Sequence, residues 1–194
     1  MSDKVKFPLA LARGVARKIV EQLEPACQRI QIAGSVRRGK ALVGDVEIVY
    51  VPRFVEVKNP ESLFGDETVS VNAADAVIDR LIAGGCLAKR QNVLGRVAWG
   101  EENKLARAVK TGLPVDLFST TAESWWNYMV CRTGSSETNM RIAKAAQAKH
   151  CQWCPTRAGF LQIFASGEHQ MWIMKSEEEV FKFVGLPYLF PEER

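Results

Sequence analysis

Apolar residues recur every three to four positions from Leu9 to Leu23 (Leu9, Ala12, Val15, Ala16, Ile19, Val20, Leu23), which predicts an amphipathic helix over residues 7–23. Pro8 suits its first turn and Pro25 ends it. The period then shortens. Residues 29–33 read as a strand running into a Gly34-Ser35 turn, and Val46, Ile48, Val49 and Val51 mark a second strand over 47–51. Asn59-Pro60 and Gly65-Asp66 are loop dipeptides, and a second helix over 73–82 stops at Gly84-Gly85. Residues 87–97 read as a strand pair broken near Gly95, and 113–118 as another β-rich run. Helical patterns follow at 123–130 and 137–149, then short strands at 160–164 and 171–175 and a terminal helix over 177–184. The order predicts an α/β (α+β) fold, a mixed sheet of about five strands with helices on one face and a small C-terminal lobe.

Composition narrows this. The chain has 194 residues, 47% of them apolar, enough for one domain with a small second lobe. No run approaches the ~18 to 20 apolar residues of a membrane span, and the N-terminus lacks the apolar core of a signal peptide. Five cysteines make an odd set without a regular framework, which predicts free thiols, a reducing compartment and a cytoplasmic protein without membrane contact. The net charge of +4 permits a polyanionic partner without demanding one.

Chemistry concentrates early in the chain. Asp45 and Glu47 lie two apart at the strand and so project to the same side. Asp116 sits on a later strand among Val115, Leu117 and Phe118, where a carboxylate is costly to bury without a cation. Three acids converging from neighbouring strands could hold two divalent ions roughly 3.5 to 4 Å apart, the arrangement used for in-line displacement at phosphorus. Oxygen donors favour magnesium or manganese over zinc. An edge strand with its acids in solvent would show the same spacing, and what precedes it decides between the two. Gly34 and Ser35 offer amides and a hydroxyl to an anion, Arg37, Arg38 and Lys40 offer charge, and Gly44 lets backbone come close to a ligand.

Four motifs carry a resemblance: Gly34-Ser35-Val36-Arg37-Arg38-Gly39, then Gly44-Asp45-Val46-Glu47, then Val115-Asp116-Leu117-Phe118, then Thr133-Gly134-Ser135 with Asn139. Together with the tail from Ser176 to Arg194 they resemble the palm and thumb of family X DNA polymerases, within the nucleotidyltransferase superfamily, over nearly the whole chain from about residue 7. The resemblance implies a nucleotidyltransferase palm over residues 1–134 and a thumb-like subdomain over 135–194. It implies a DNA-directed DNA polymerase that adds dNMP to a DNA 3′-hydroxyl with release of pyrophosphate, suited to filling short gaps in repair. The alternative is a template-independent, RNA or small-molecule nucleotidyltransferase, and a weakly active binding module is a third reading.

By the same resemblance Asp45, Glu47 and Asp116 are the catalytic and metal-binding carboxylates, holding two Mg2+ ions with Mn2+ as a substitute. Gly34, Ser35, Arg38 and Gly44 match the triphosphate contacts, Thr133, Gly134 and Ser135 the turn beneath the sugar, and Asn139 the reach to the base edge. The implied partners are primer-template or gapped DNA and nucleoside triphosphates. The chain is expected to act as a monomer, with an accessory protein as an optional partner, in the cytoplasm (the host's, if the source is a virus).

Three departures from the family pattern stand out. Glu47 takes the place of the usual aspartate, Cys131-Arg132 replaces two aromatics at the sugar-discriminating position, and the lyase and helix-hairpin-helix segments of larger members have no counterpart. Other signals are weaker. Cys151 and Cys154 beside His150 supply half a zinc site, with reduced thiols as the default. Trp125, Trp126, Trp153 and Trp172 could stack on bases but fit core packing better, and Lys104, Arg107 and Lys110 read as a solvated helix edge. There is no P-loop, dinucleotide fingerprint or zinc-protease helix.

Overall fold

A computed structural model describes residues 5–59, 67–92 and 94–194, so Pro60 and Gly65-Asp66 lie outside the described residues. The strands are β1 (Phe7–Pro8), β2 (Cys27–Ile32), β3 (Leu42–Val43), β4 (Val46–Pro52), β5 (Phe54–Lys58), β6 (Thr68–Asn72), β7 (Leu87–Lys89), β8 (Asn103–Ala108), β9 (Pro114–Ser119), β10 (Cys151–Trp153), β11 (Gly159–Ile163) and β12 (His169–Ile173). The helices are α1 (Leu9–Leu23), α2 (Gly34–Arg37), α3 (Ala73–Ala83), α4 (Trp125–Thr133), α5 (Ser136–Ala148) and α6 (Glu177–Phe183).

The expected mixed sheet is present, with order β2-β4-β9-β8-β7 and one parallel pair, β4 with β9. Strand alternation sorts its residues. Val46, Ile48, Tyr50, Val115 and Leu117 face a core built with Ala12, Ala16 and Leu23 of α1 and Val77 and Ile78 of α3. Val49, Val51 and Phe118 face the other way and pack under Trp125, Tyr128 and Met129 of α4. Thus α1 and α3 cover one face, while α4 covers part of the other and leads into the second lobe. There α5, α6 and the sheet β10-β11-β12 enclose Ile142, Trp153, Phe160 and Phe181. Fully buried Asn127 ties α4 to that lobe: its amide donates to the Cys154 and Arg157 carbonyls at 2.8 Å each, and it accepts from Trp153 Nε1 at 2.7 Å.

Three local expectations change. Phe7 and Pro8 are extended and pair with β3, so the first helix starts at Leu9 with Pro8 as its cap residue. Lys104, Arg107 and Lys110 lie on no helix. Residues 103–108 form β8, whose inward positions are Lys104, Ala106 and Ala108, and these lack the β-branched signature of a strand. Lys104 stays buried because it pairs with Asp75 at 2.9 Å and donates to the Gly100 carbonyl. The ribbon β5–β6 falls where no strand was expected. Trp125 and Trp153 are buried, whereas Trp172 is 38% exposed.

In the second lobe Gly159 is fixed by sterics. A Cβ there would overlap the Trp172 carbonyl across the β11–β12 ladder and crowd Met174 at 3.1 Å. Gly159→Ala should destabilise the chain by about 1–3 kcal/mol, measured by urea unfolding. An unchanged midpoint would show that the ribbon can shift at no cost.

Candidate active site

Parallel pairing puts Glu47 directly beside Asp116. Asp45 comes two residues before Glu47, just ahead of β4, so the three acids share the sheet face that also carries Val49 and Phe118. Helix α4 packs over the Val49–Phe118 end of that face.

The cradle packs against them. Gly34 has φ +61° and opens α2, a turn with no side-chain cap. A Cβ at Gly34 would overlap the Glu47 carboxylate, so glycine is needed both for the left-handed backbone and for the space. Ser35 lies within this turn, and Arg38 follows it as its C-cap. At Gly44 a Cβ would stand 3.7 Å from Lys6 Nζ, brought there by the pairing of β1 with β3.

The Thr133-Gly134-Ser135 turn is bolted to the same cradle. Arg38 donates to the Thr133 carbonyl and, at 3.1 Å, to that of Gly134. Arg37 donates to Thr133 Oγ1 at 2.6 Å and pairs with Glu177 of α6 at 2.7 Å. Ser135 caps α5 by accepting from the Thr138 amide. The Asn139 amide donates to the Cys131 carbonyl at 2.8 Å, while its Oδ1 is buried without a partner among the described residues. All the sequence-predicted residues therefore gather in one cleft, with Arg38 and Asn139 turned toward backbone in this conformation.

Three cations of the cleft were not anticipated. Lys6 lies beside Gly44, Arg90 forms an ion pair with Asp116, and the Arg132 guanidinium stacks 3.6 Å over Phe118 with a hydrogen bond to Tyr128. In the sequence Arg132 stands out only as the absence of an aromatic. No local pattern announces Lys6 or Arg90, because each arrives through pairing of distant strands.

Electrostatics follows from this crowding. Burial, then the nearby Asp45 and Asp116, push the Glu47 carboxyl up to about 7 against the pull of Arg132 and Arg38. Burial also raises Asp116, although its bond to Arg90 works in the opposite direction. Burial lowers Arg38, opposed by Glu47 and Asp45.

Among the described residues no three His, Cys, Asp or Glu side chains enclose an ion as posed, and Asp116 is engaged with Arg90. The donor set nevertheless suits a hard divalent cation: acid oxygens from adjacent strands, and a carboxylate whose proton affinity has risen through burial and then through its acidic neighbours. A metal would compete with that proton. Metal affinity should therefore climb as pH rises toward about 7 and level off above it, by titration calorimetry with Mn2+. Glu47→Gln should flatten the profile. The same group favours folding of the metal-free chain most below its ordinary value near 4.5, and that contribution is lost as pH rises through about 7.

All five cysteines are unpaired, with Cys151 buried and Cys154 partly so. No helix among the described residues is long and apolar enough to cross a membrane.

Residues 128–194 match the family model for the DNA polymerase beta thumb. Two structures of Leishmania infantum polymerase beta align over 98% of this chain. Its ternary P/T complex is 18% identical, with a TM-score of 0.72 and 77% of that chain covered. Its ternary gap complex is 19% identical, with a TM-score of 0.73 and 71% covered. No curated protein matches the chain. The chain thus shares its fold with these polymerase beta structures, and its C-terminal segment, residues 128–194, matches the DNA polymerase beta thumb.

Proposed function

We propose that the chain is a DNA polymerase of family X type that transfers dNMP from a deoxynucleoside triphosphate to a DNA 3′-hydroxyl. The observation that carries this reading is Glu47 beside Asp116 on parallel strands, with Asp45 preceding them, under a glycine-arginine cradle. Palm and thumb divide at residues 134 and 135 in this reading.

Asp45 and Glu47 would hold the ions together with the triphosphate, and Asp116 would orient the 3′-hydroxyl and draw off its proton. Divalent ions held there would, when bound, supply Lewis-acid activation of the 3′-oxygen and charge neutralisation on the leaving pyrophosphate. The 3′-oxygen attacks the α-phosphorus, the bond to the β-phosphate oxygen breaks, and pyrophosphate departs. Gly34, Ser35, Gly44 and Arg38 would grip the triphosphate. The Thr133-Gly134-Ser135 turn would sit below the sugar and Asn139 would meet the base edge. Asp116 must exchange its bond with Arg90 for these duties.

Support for DNA as the acceptor comes from the thumb match and from the two similar structures, a ternary P/T complex and a ternary gap complex of another protein. Short-gap repair, a cytoplasmic setting and a monomeric state belong to the same reading. The test is incorporation on a one-nucleotide-gapped duplex and on a single-stranded primer, each with Mg2+ or Mn2+. Template-matched extension of the gap is expected. Addition to the single strand regardless of template would overturn templating, and no addition to either would overturn the polymerase.

A second reading, an RNA or untemplated transferase, draws on one observation. Arg132 lies stacked on Phe118 and Tyr128 where the family usually presents an aromatic to the sugar. Weak exclusion of ribonucleotides is therefore expected, and Arg132→Phe should raise the dNTP-to-NTP ratio of kcat/KM about tenfold, a factor worth about 1.4 kcal/mol. An unchanged ratio would take sugar selection away from this position.

A further inference from the structure

On the outer side of the cradle, α1, β2 and α2 enclose a groove of about 380 Å3. Its floor is apolar, from Val20, Ile30 and Ile32, and its rim is cationic, from Arg13, Arg17 and Arg37. Arg13 and Arg17 stand one turn apart on the exposed side of α1. Among the described residues neither side chain has an ion-pair or hydrogen-bond partner. Arg37, in contrast, is tied to Thr133 and Glu177.

The groove runs on into the cradle. A Cβ at Gly39 would lie 4.0 Å from the Arg13 guanidinium, so Arg13 reaches the turn that carries Arg38. Two unneutralised arginines set one turn apart on a helix, beside an apolar floor, complement a chain of phosphates whose sugars lie against the floor. We propose that this groove is a second phosphate-binding site, which takes the backbone of a DNA strand outside the nucleotide cradle. For the identity of its ligand it rests on the polymerase reading.

The test measures the affinity of the full chain for a fluorescent gapped duplex by anisotropy over a range of NaCl concentrations. Arg13→Gln with Arg17→Gln should weaken binding about tenfold near 0.1 M salt and lower the slope of log K against log salt by about two. Arg107→Gln with Lys110→Gln, which removes equal charge near the β8–β9 turn, should change either by less than about half as much. Wild-type-like DNA binding by the α1 double variant, or an equal loss in both double variants, would overturn the site. So would a wild-type chain that binds no duplex. Titration with dATP and Mn2+ separates the two claims. A wild-type chain that binds no nucleotide yet loses DNA through the α1 variant would sink the polymerase reading and leave the groove standing.

Discussion

Replacing Asp116 with asparagine should abolish measurable nucleotide incorporation while leaving the chain folded. Asp116 lies beside Glu47 across the parallel pair, so it is the one acid that comes from a different strand to the same cleft. Asparagine keeps the shape and one acceptor oxygen, but loses the charge that would hold a metal and draw the proton from the attacking hydroxyl. Metal-assisted charge stabilisation supplies several kcal/mol to such a transition state, so the loss should be on the order of a thousandfold or more. Asp45→Asn should behave alike.

The structural cost should be small, and here the local energetics is informative. Burial, and then Asp45, already work against the Asp116 charge, and Arg90, with a smaller pull from Arg132, offsets them. Arg90 is a quarter exposed, so it can turn to water when its partner is neutralised. The thermal midpoint of Asp116→Asn should therefore lie within about 3 °C of wild type. Residual activity above a few per cent would remove Asp116 from the reaction. A collapsed midpoint would instead mean that the Arg90 bond is structural, and Arg90→Gln would then show the same collapse.

What the sequence made legible is what local period encodes. The spacing of Asp45 and Glu47, the apolar frame of Asp116 and the Gly34-Ser35 turn all sit within runs of a few residues, and each lands in the cleft. Four strands of the sheet, β2, β4, β7 and β9, and the helices α1, α3, α5 and α6 follow from periods of two and 3.6 in the same way. β8 was hidden because its inward residues are Lys104 and two alanines, and its burial depends on Asp75 from another element. Lys6, Arg90 and Arg132 share that difficulty. Their contacts join the residue before β1 to the one after β3, the residue after β7 to β9, and α4 to β9, contacts that no single stretch of chain specifies.

Glu177 shows the same point at larger scale, and its removal should bring the largest loss of stability. It opens α6, 6% exposed, and its two oxygens take Arg37 at 2.7 Å and Arg194 at 2.6 Å. Arg194 is itself 5% exposed, stacks on Phe181 and Tyr188, and donates to the Leu189 carbonyl. One carboxylate thus neutralises two arginines between the cradle and the C-terminal lobe. Glu177→Ala leaves both cations without their counter-charge in a site from which water is largely excluded, and breaking a buried pair in this way costs about 3–5 kcal/mol. For a chain of this size that corresponds to a fall in thermal midpoint on the order of 10 °C. Glu177→Gln, which retains one acceptor, should lose less. Because Arg37 also holds Thr133, the alanine variant should weaken nucleotide binding at temperatures where it is still folded. A midpoint within about 2 °C of wild type would show that water reaches the seam and that the two arginines need no shared partner.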